Sequence, residues 1–311
     1  MTDQLRTESR MAETIRSLTS HFTVEVTPRE VRKNPGLLAE LFPAGTRVYT
    51  TFLPATPFGE TVAAAKALLD QGMRPVPHLA ARNIADEAEL DRMVGELAVI
   101  GVEELLVIGG SISKPAGTVT DSMQVLRSGV LARHGIRRVG VAGHPEGNKD
   151  IGDRGLAAAL AAKNLLAVEL GIDMYLMTQF CFAAEPVIAW ERRIREAGNR
   201  LPVHVGLAGL SSPVKLLKFG LACGVGPSLK VLRKQSGGML KLAASAVYYP
   251  DQPLLGIARS IQADAGSLIR QVHLFPFGAL RPTAEWGRKV SEGSYRIDGR
   301  QDRIAVAGEG A

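Results

Sequence analysis

The stretch Phe22-Thr23-Val24-Glu25-Val26-Thr27-Pro28-Arg29-Glu30 reads as a short strand, β-branched and apolar except at Glu25, followed by a polar turn. An open dinucleotide-binding sheet would normally place a Gly-x-Gly-x-x-Gly turn after its first strand, where backbone N–H groups cradle a pyrophosphate. Thr27-Pro28-Arg29-Glu30 offers no such cradle. Further along the chain the same kind of run recurs at Arg47-Phe52, Arg74-Leu79, Glu104-Ile108, Arg138-Ala142, Met174-Phe180, Pro202-Leu207 and Gln271-Phe275. Runs this short, apolar and bounded by Gly, Pro or polar residues suit strands buried on both faces. Between them lie amphipathic helical stretches at Glu60-Gln71, Asp86-Ile100, Asp121-His134, Leu156-Leu170 and Glu185-Ala197. Gly72, Gly101, Gly135, Gly171 and Gly198 follow these stretches, where a helix end favours a residue tolerant of positive φ. Eight strands with crossover helices and no dinucleotide cradle predict an α/β protein: a single-domain (β/α)8 TIM barrel.

The predicted boundaries are an N-terminal helix or flexible arm over 1–20, the barrel over 21–285 and a C-terminal tail over 286–311. The last crossover is elaborated. More than about sixty residues separate the seventh and eighth strands, including Gly224-Val225-Gly226-Pro227 and Gly237-Gly238, against a usual connection of a few residues. They are expected to hold two or three helices. The tail, rich in charge and Gly, is expected to pack loosely or to make a subunit contact, which leaves a homo-oligomer open.

Composition narrows the function classes. The 311 residues are 46% hydrophobic and 22% charged, an ordinary balance for a soluble globular chain. No apolar run reaches the about 20 residues a bilayer crossing needs, and residues 1–20 carry no apolar signal block. Neither a membrane partner nor secretion is predicted. Two cysteines, Cys181 and Cys223, make neither a disulfide framework nor a zinc cage, so the cytoplasm is the expected compartment. The net charge of +6 suits an anionic small molecule or nucleotide cofactor. Aromatics are only 5% and do not interleave with a basic stripe, so no nucleic-acid partner is expected. Arg192-Arg193-Ile194-Arg195, flanked by Glu191 and Glu196, reads as a solvated helix face.

In an α/β barrel the chemistry sits at the C-terminal ends of the strands. Those positions hold Glu25, Thr50-Thr51, His78, Gly109-Gly110-Ser111, His144-Pro145-Glu146, Gln179, Gly206-Ala208 and Phe275-Phe277. Glu25 is the leading candidate. A carboxyl losing hydration in a barrel mouth has its pKa raised toward the range of a general acid. The same residue also reads as a barrel glutamate neutralised by an Arg or Lys. His78, from pattern alone, reads first as a structural, hydrogen-bonded imidazole and second as a site residue. Gly109-Gly110 allows close approach of a flat ligand or phosphate, and also suits a tight turn. Gln179 offers donor and acceptor together to a heterocycle edge, or binds barrel backbone. His144 and Glu146 lack a third metal ligand, and no Gly-x-Ser-x-Gly elbow supports a serine hydrolase.

These residues, in this order, resemble the methylenetetrahydrofolate reductase family from about Val24 to about Phe277. Val24-Glu25-Val26-Thr27-Pro28-Arg29 resembles its first-strand segment, and Val76-Pro77-His78-Leu79 its third-strand motif. Met177-Thr178-Gln179-Phe180-Cys181-Phe182 is similar to the sixth-strand block. Gly206-Leu207 with Ser211-Ser212, and Val272-His273-Leu274-Phe275, follow the seventh and eighth. The resemblance implies an oxidoreductase of one-carbon metabolism that turns 5,10-methylenetetrahydrofolate into 5-methyltetrahydrofolate. It implies Glu25 as proton donor to the folate N10, and Gln179, Phe180 and Phe277 as folate-binding residues. It further implies NADH or NADPH as reductant and a flavoprotein holding FAD through Thr50, Thr51, His78, Gly109, Gly110, Ser111, His144 and Lys163.

The departures concern the flavin. The family typically has Arg-Gly-Asp where this chain has Gly109-Gly110-Ser111, and a tyrosine where it has His144. On the helix after the fifth strand, Leu160, Leu166 and Ala167 replace polar or basic groups, and only Lys163 keeps one. Each lost charge-assisted phosphate contact removes roughly 1.5–3 kcal/mol. The expectation leans toward direct hydride transfer from nicotinamide to folate. Transfer through bound FAD and an inactive folate-binding barrel are the alternatives.

Overall fold

The eight short runs form strands that close into a barrel in sequence order: β1 Thr23–Val26, β2 Arg47–Thr50, β3 Arg74–Ala80, β4 Glu104–Ile108, β5 Arg138–Gly143, β6 Asp173–Cys181, β7 Val203–Ala208 and β8 Ile269–Phe275. The computed structural model describes residues 3–53, 56–222, 247–298 and 303–307. Neighbouring strands run parallel, with Val24 opposite Val48, Tyr49 opposite Val76, and His78 opposite Leu106. The chain groups into two compact units, Thr23–Gly143 with Arg154–Met177, and Met1–Phe22 with His144–Asp153 and Thr178–Ala311.

In the first unit the helices cover the strands as their periodicity predicts. Helices α2 Pro28–Lys33 and α3 Leu37–Leu41 follow β1. Thr27 caps α2 reciprocally: its hydroxyl accepts the Glu30 N–H, and the Glu30 carboxylate accepts the Thr27 N–H at 2.8 Å. Helix α4 Phe58–Asp70 buries Thr61, Ala64, Ala65 and Leu68, one stripe at three- and four-residue spacing. It ends at Gly72, whose φ of 75° is the left-handed conformation expected there. Helix α5 Glu87–Val99 starts on an Asp86 cap and buries Leu90, Met93, Val94 and Leu97. The stretch expected as one helix over Asp121–His134 is two, α6 Ser122–Arg127 and α7 Val130–Arg133. The break is at Gly129, whose φ of 75° leaves the helical region. Helix α8 Gly152–Leu170 buries only Lys163 and Leu166, and leaves Leu165 and Val168 exposed.

Alternate residues of β2, β3, β4 and β6 meet in one cluster of Tyr49, Val76, Leu106, Tyr175 and Met177. Strands β2 and β6 are not neighbours, so this cluster lies inside the barrel. Tyr49, Thr51, Val76 and His78 therefore belong to the inner face, by the two-residue alternation of strands.

In the second unit α9 Glu185–Glu196 follows β6, and α10 Pro213–Ala222 and α11 Asp251–Ala263 lie between β7 and β8. Cys223, Gly224–Pro227 and Gly237-Gly238 fall outside the described residues. Residues 1–20 hold helix α1 Asp3–Thr19, with Ile15 and Leu18 fully buried. The expected boundary at 286 falls within a helix. Helix α12 Leu280–Glu292 runs through it, burying Thr283, Ala284, Trp286, Gly287 and Val290. A side-chain carbon at Gly287 would stand 2.8 Å from the Phe22 ring, so this glycine lets the helix close on Phe22. Beyond it β9 Tyr295–Asp298 and β10 Arg303–Val306 form an antiparallel pair with Ile304 and Val306 buried. The tail packs because its apolar residues face inward at helical and strand spacing.

Candidate active site

Glu25, Thr51 and His78 come from three successive strand ends and meet in the first unit. The Thr51 hydroxyl donates to Glu25 Oε1 at 2.7 Å. His78 Nε2 stands 3.4 Å from Glu25 Oε2, with the two side chains only 8% and 15% exposed. In these two contacts the partners of Glu25 are a hydroxyl and an imidazole. The carboxyl is thus addressed on both oxygens, in a largely dehydrated setting. Such a group can give up a proton, and its neighbours can direct which oxygen carries it. The same inner face carries the cluster of Tyr49, Val76, Leu106, Tyr175 and Met177, with Ile108 packed against it.

Thr50 does not join this group. It alternates with Tyr49 and Thr51, so it points to the other face of β2, and its side chain is fully buried. Gly109, Gly110 and Ser111 belong to a loop stitched to the 3₁₀ turn Ala81–Asn83. The Arg82 N–H donates to Gly109 O at 3.0 Å, and the Ala116 N–H to Arg82 O at 2.8 Å. Gly110 has a φ of 89°, so the turn itself accounts for that glycine. Lys163 is 7% exposed. Burial brings its amine down from 10.5 to about 8, against an opposing pull from the Asp121 carboxylate. No hydrogen bond or ion pair holds its amine among the described residues.

In the second unit Gln179 is exposed although its strand neighbours Thr178 and Phe180 are buried. Its Oε1 accepts the Phe180 N–H at 3.2 Å, which leaves the amide NH2 as its donor end. Gly206 makes the approach possible: a side-chain carbon there would lie 2.9 Å from the Gln179 carbonyl and 2.7 Å from the Phe275 ring. Phe180 meets Phe277 edge-on at 4.8 Å, and Phe219 of α10 packs on Phe277 at 4.7 Å. Phe277 has a φ of 50°, unlike any other non-glycine described residue. Such strain in a bulky residue persists only where its surroundings hold it, and it occurs often at ligand sites. His144 sits in a turn closed by the Gly147 N–H on its carbonyl at 3.1 Å. Cys181 is buried, its thiol pushed up to about 12 by burial first and Glu146 second, so it is an inert core group.

The residues fit a tightly held FAD poorly. Thr51 and His78, which the resemblance assigns to the flavin ring, are turned to Glu25 instead. Residues 109–111 carry no charged side chain, Leu166 is buried, and Lys163 bears its charge at a cost. Among the described residues no group of three His, Cys, Asp or Glu could hold a metal ion, and no helix is long and apolar enough to cross a membrane.

Sequence reasoning missed a buried polar network in the first unit. Tyr49 and Tyr175 hydroxyls lie 2.5 Å apart, Tyr175 donates to Glu104 at 2.9 Å, and Arg47 and Arg138 pair with Glu104 at 2.8 and 3.2 Å. The available signal was Arg47, Glu104 and Arg138 each opening an otherwise apolar strand.

No family model matches the chain. It is similar in structure to a protein assigned as a phosphonomutase from Burkholderia cenocepacia, with 11% identity, 92% of this chain and 99% of that one covered, and a TM-score of 0.49. It is also similar to dihydropteroate synthase from Thermus thermophilus, with 17% identity, 88% and 93% covered, and a TM-score of 0.45. A mutant tryptophan synthase α-subunit from Pyrococcus furiosus shares 12% identity over 89% and 95% of the two chains, with a TM-score of 0.47. Likenesses this remote say nothing of chemistry, and the fold rests on the closed strand order itself.

Proposed function

We propose that this chain is an enzyme that reduces 5,10-methylenetetrahydrofolate to 5-methyltetrahydrofolate, with NADH or NADPH as the hydride source and Glu25 as general acid. The observation that carries the reading is the Glu25 carboxyl, held by Thr51 at 2.7 Å and facing His78 at 3.4 Å inside the barrel end. Opening the folate's five-membered ring needs a proton at N10 and then a hydride at the bridging carbon. Thr51 donates to Oε1, so Oε1 is engaged as an acceptor and the transferable proton belongs on Oε2. His78 stands on that side, placed to return a proton to Glu25 after transfer. The low exposure of both side chains limits competition from water.

Gln179 and Phe277 are the proposed folate contacts. The Gln179 NH2 would donate to an acceptor on the pterin edge, and the half-buried Phe277 ring offers stacking area, backed by Phe180, which the structure buries in the core and so removes as a direct contact. The poor fit to FAD favours direct hydride transfer, which requires both substrates bound together. In this reading the protein's contribution is orientation and the proton.

Glu25→Gln keeps the shape and removes the acid. Reduction of methylenetetrahydrofolate should fall by about 10²–10⁴-fold while folate binding changes little. A variant within a few-fold of wild type would remove Glu25 from the catalytic role.

A further inference from the structure

Barrel interiors are usually filled by branched aliphatic side chains. Here the inner face carries two tyrosines and a carboxylate in series. Tyr49 and Tyr175 are both fully buried. Tyr175 spends its proton on Glu104 Oε1 at 2.9 Å, so across the 2.5 Å contact Tyr49 is the donor and Tyr175 the acceptor. Glu104 is fastened in turn by Arg47 Nε at 2.8 Å and Arg138 Nε at 3.2 Å, and Arg138 also holds Asp173 at 2.8 Å. The Arg138 guanidinium lies 5.0 Å over the Tyr175 ring. Gly140 supplies the room, since a side-chain carbon there would stand 2.7 Å from the Tyr175 ring and hydroxyl. Burial, and next the Glu104 charge, push the Tyr49 phenol far above its ordinary range, so it stays a donor.

At its other side the Tyr49 ring meets the His78 ring edge-on, with centroids 6.2 Å apart and planes at 79°. His78 is the group whose Nε2 faces Glu25. We propose that Tyr49 is a positioning residue for His78 and Glu25, its depth and ring plane set by the hydrogen-bonded series Tyr49–Tyr175–Glu104. A phenol tied at its hydroxyl cannot slide along the barrel axis, whereas an aliphatic side chain of similar volume has no such tie. The imidazole packed on the ring edge therefore inherits a fixed orientation toward the carboxyl. This role rests on the reading of Glu25 as the acid.

The test compares Tyr49→Phe, Tyr175→Phe and Tyr49→Leu in the full chain. The readouts are steady-state reduction of methylenetetrahydrofolate and the NMR signals of the His78 imidazole, assigned by their loss in His78→Gln. Tyr49→Leu should lower kcat about tenfold with the folate KM within about twofold, the pattern of a misplaced reacting group rather than a lost binding contact. Its His78 signals should shift and broaden. Tyr49→Phe and Tyr175→Phe keep the rings and lose only the tie, so they should fall between Tyr49→Leu and wild type in both readouts. They also carry the test if Tyr49→Leu does not fold. Wild-type His78 signals and wild-type kcat in both Phe variants would overturn the proposal. Disturbed His78 signals in a protein whose wild type shows no reduction of methylenetetrahydrofolate would uphold the tie and overturn the reaction instead.

Discussion

Replacing Lys163 by methionine tests how the fold treats the one polar group on the inner side of α8. Lys163 is 7% exposed, and its amine is brought down from 10.5 to about 8. The main cause is burial, which disfavours the charged form; Asp121 opposes it. The folded chain therefore binds this proton more weakly than the unfolded chain does. Below pH 8 both states are protonated and the folded state bears the full penalty. Between pH 8 and about 10.5 the folded lysine loses its proton first, so stability rises with pH. Above 10.5 neither state is charged and the penalty is gone. At about 1.4 kcal/mol for each tenfold change in proton affinity, the drop from 10.5 to about 8 is worth about 3 kcal/mol. Methionine keeps most of the buried stem and carries no charge. Lys163→Met should therefore be more stable than wild type at pH 7, by up to about 3 kcal/mol, and the gap should close as pH approaches 10.5. Guanidinium denaturation of both proteins across this pH range measures the gap. A constant difference across the range would show that folding leaves the proton affinity of Lys163 unchanged, and a variant less stable at pH 7 would show that the ammonium is favourably paired; either would refute the argument. If Lys163 holds a phosphate of the nicotinamide donor, saturating NADPH should stabilise wild type more than the variant at pH 7.

Gln179→Ala should raise the folate KM more than the nicotinamide KM, since its exposed amide is proposed to face the pterin; equal damage to both, with an intact thermal melt, would remove that assignment. Protein purified without added flavin should show little or no bound FAD in its absorption spectrum, and rigorously flavin-free protein should reduce methylenetetrahydrofolate with a sequential rather than a ping-pong kinetic pattern. Stoichiometric, tightly held FAD would contradict this. Gly140→Ala sets a methyl carbon 2.7 Å from the Tyr175 ring and 2.8 Å from Leu106 Cδ1. It should destabilise the chain by about 1–3 kcal/mol in denaturant, as overpacking does, and a change under 0.5 kcal/mol would show that the interior is looser than its distances imply.

Strands were legible because each is a short apolar run between breakers, and Glu104–Ile108 was read with its observed ends. The glycines after the helices were legible for a backbone reason: Gly72, Gly101, Gly135, Gly171 and Gly198 all have positive φ. The break at Gly129 was not, because the apolar spacing of Val125, Leu126, Val130 and Leu131 continues across it. Within the candidate site Glu25, Thr51 and His78 could each be named as a polar residue at a strand end. Their meeting could not be read, since it joins positions 26 and 53 residues apart whose distance depends on strand register. Tyr49 and Tyr175 were harder still. Tyrosine is an ordinary strand former, and only the pairing of β2 and β6 side chains across the interior turns two of them into a donor and an acceptor.

Helix α12 has a consequence for what counts as the folding unit. The eight strands end at Phe275, yet Gly287 of α12 is the surface on which the Phe22 ring rests, and Trp286 and Val290 are buried beside it. A chain cut at residue 285 would retain every barrel strand and lose the second half of this helix. It would lay bare Phe22 at the entrance to β1, two residues from Val24 and three from Glu25. Truncation far from the proposed chemistry should then reach the acid through the strand that carries it, so a shortened protein that fails to turn over would say more about its missing helix than about its mechanism.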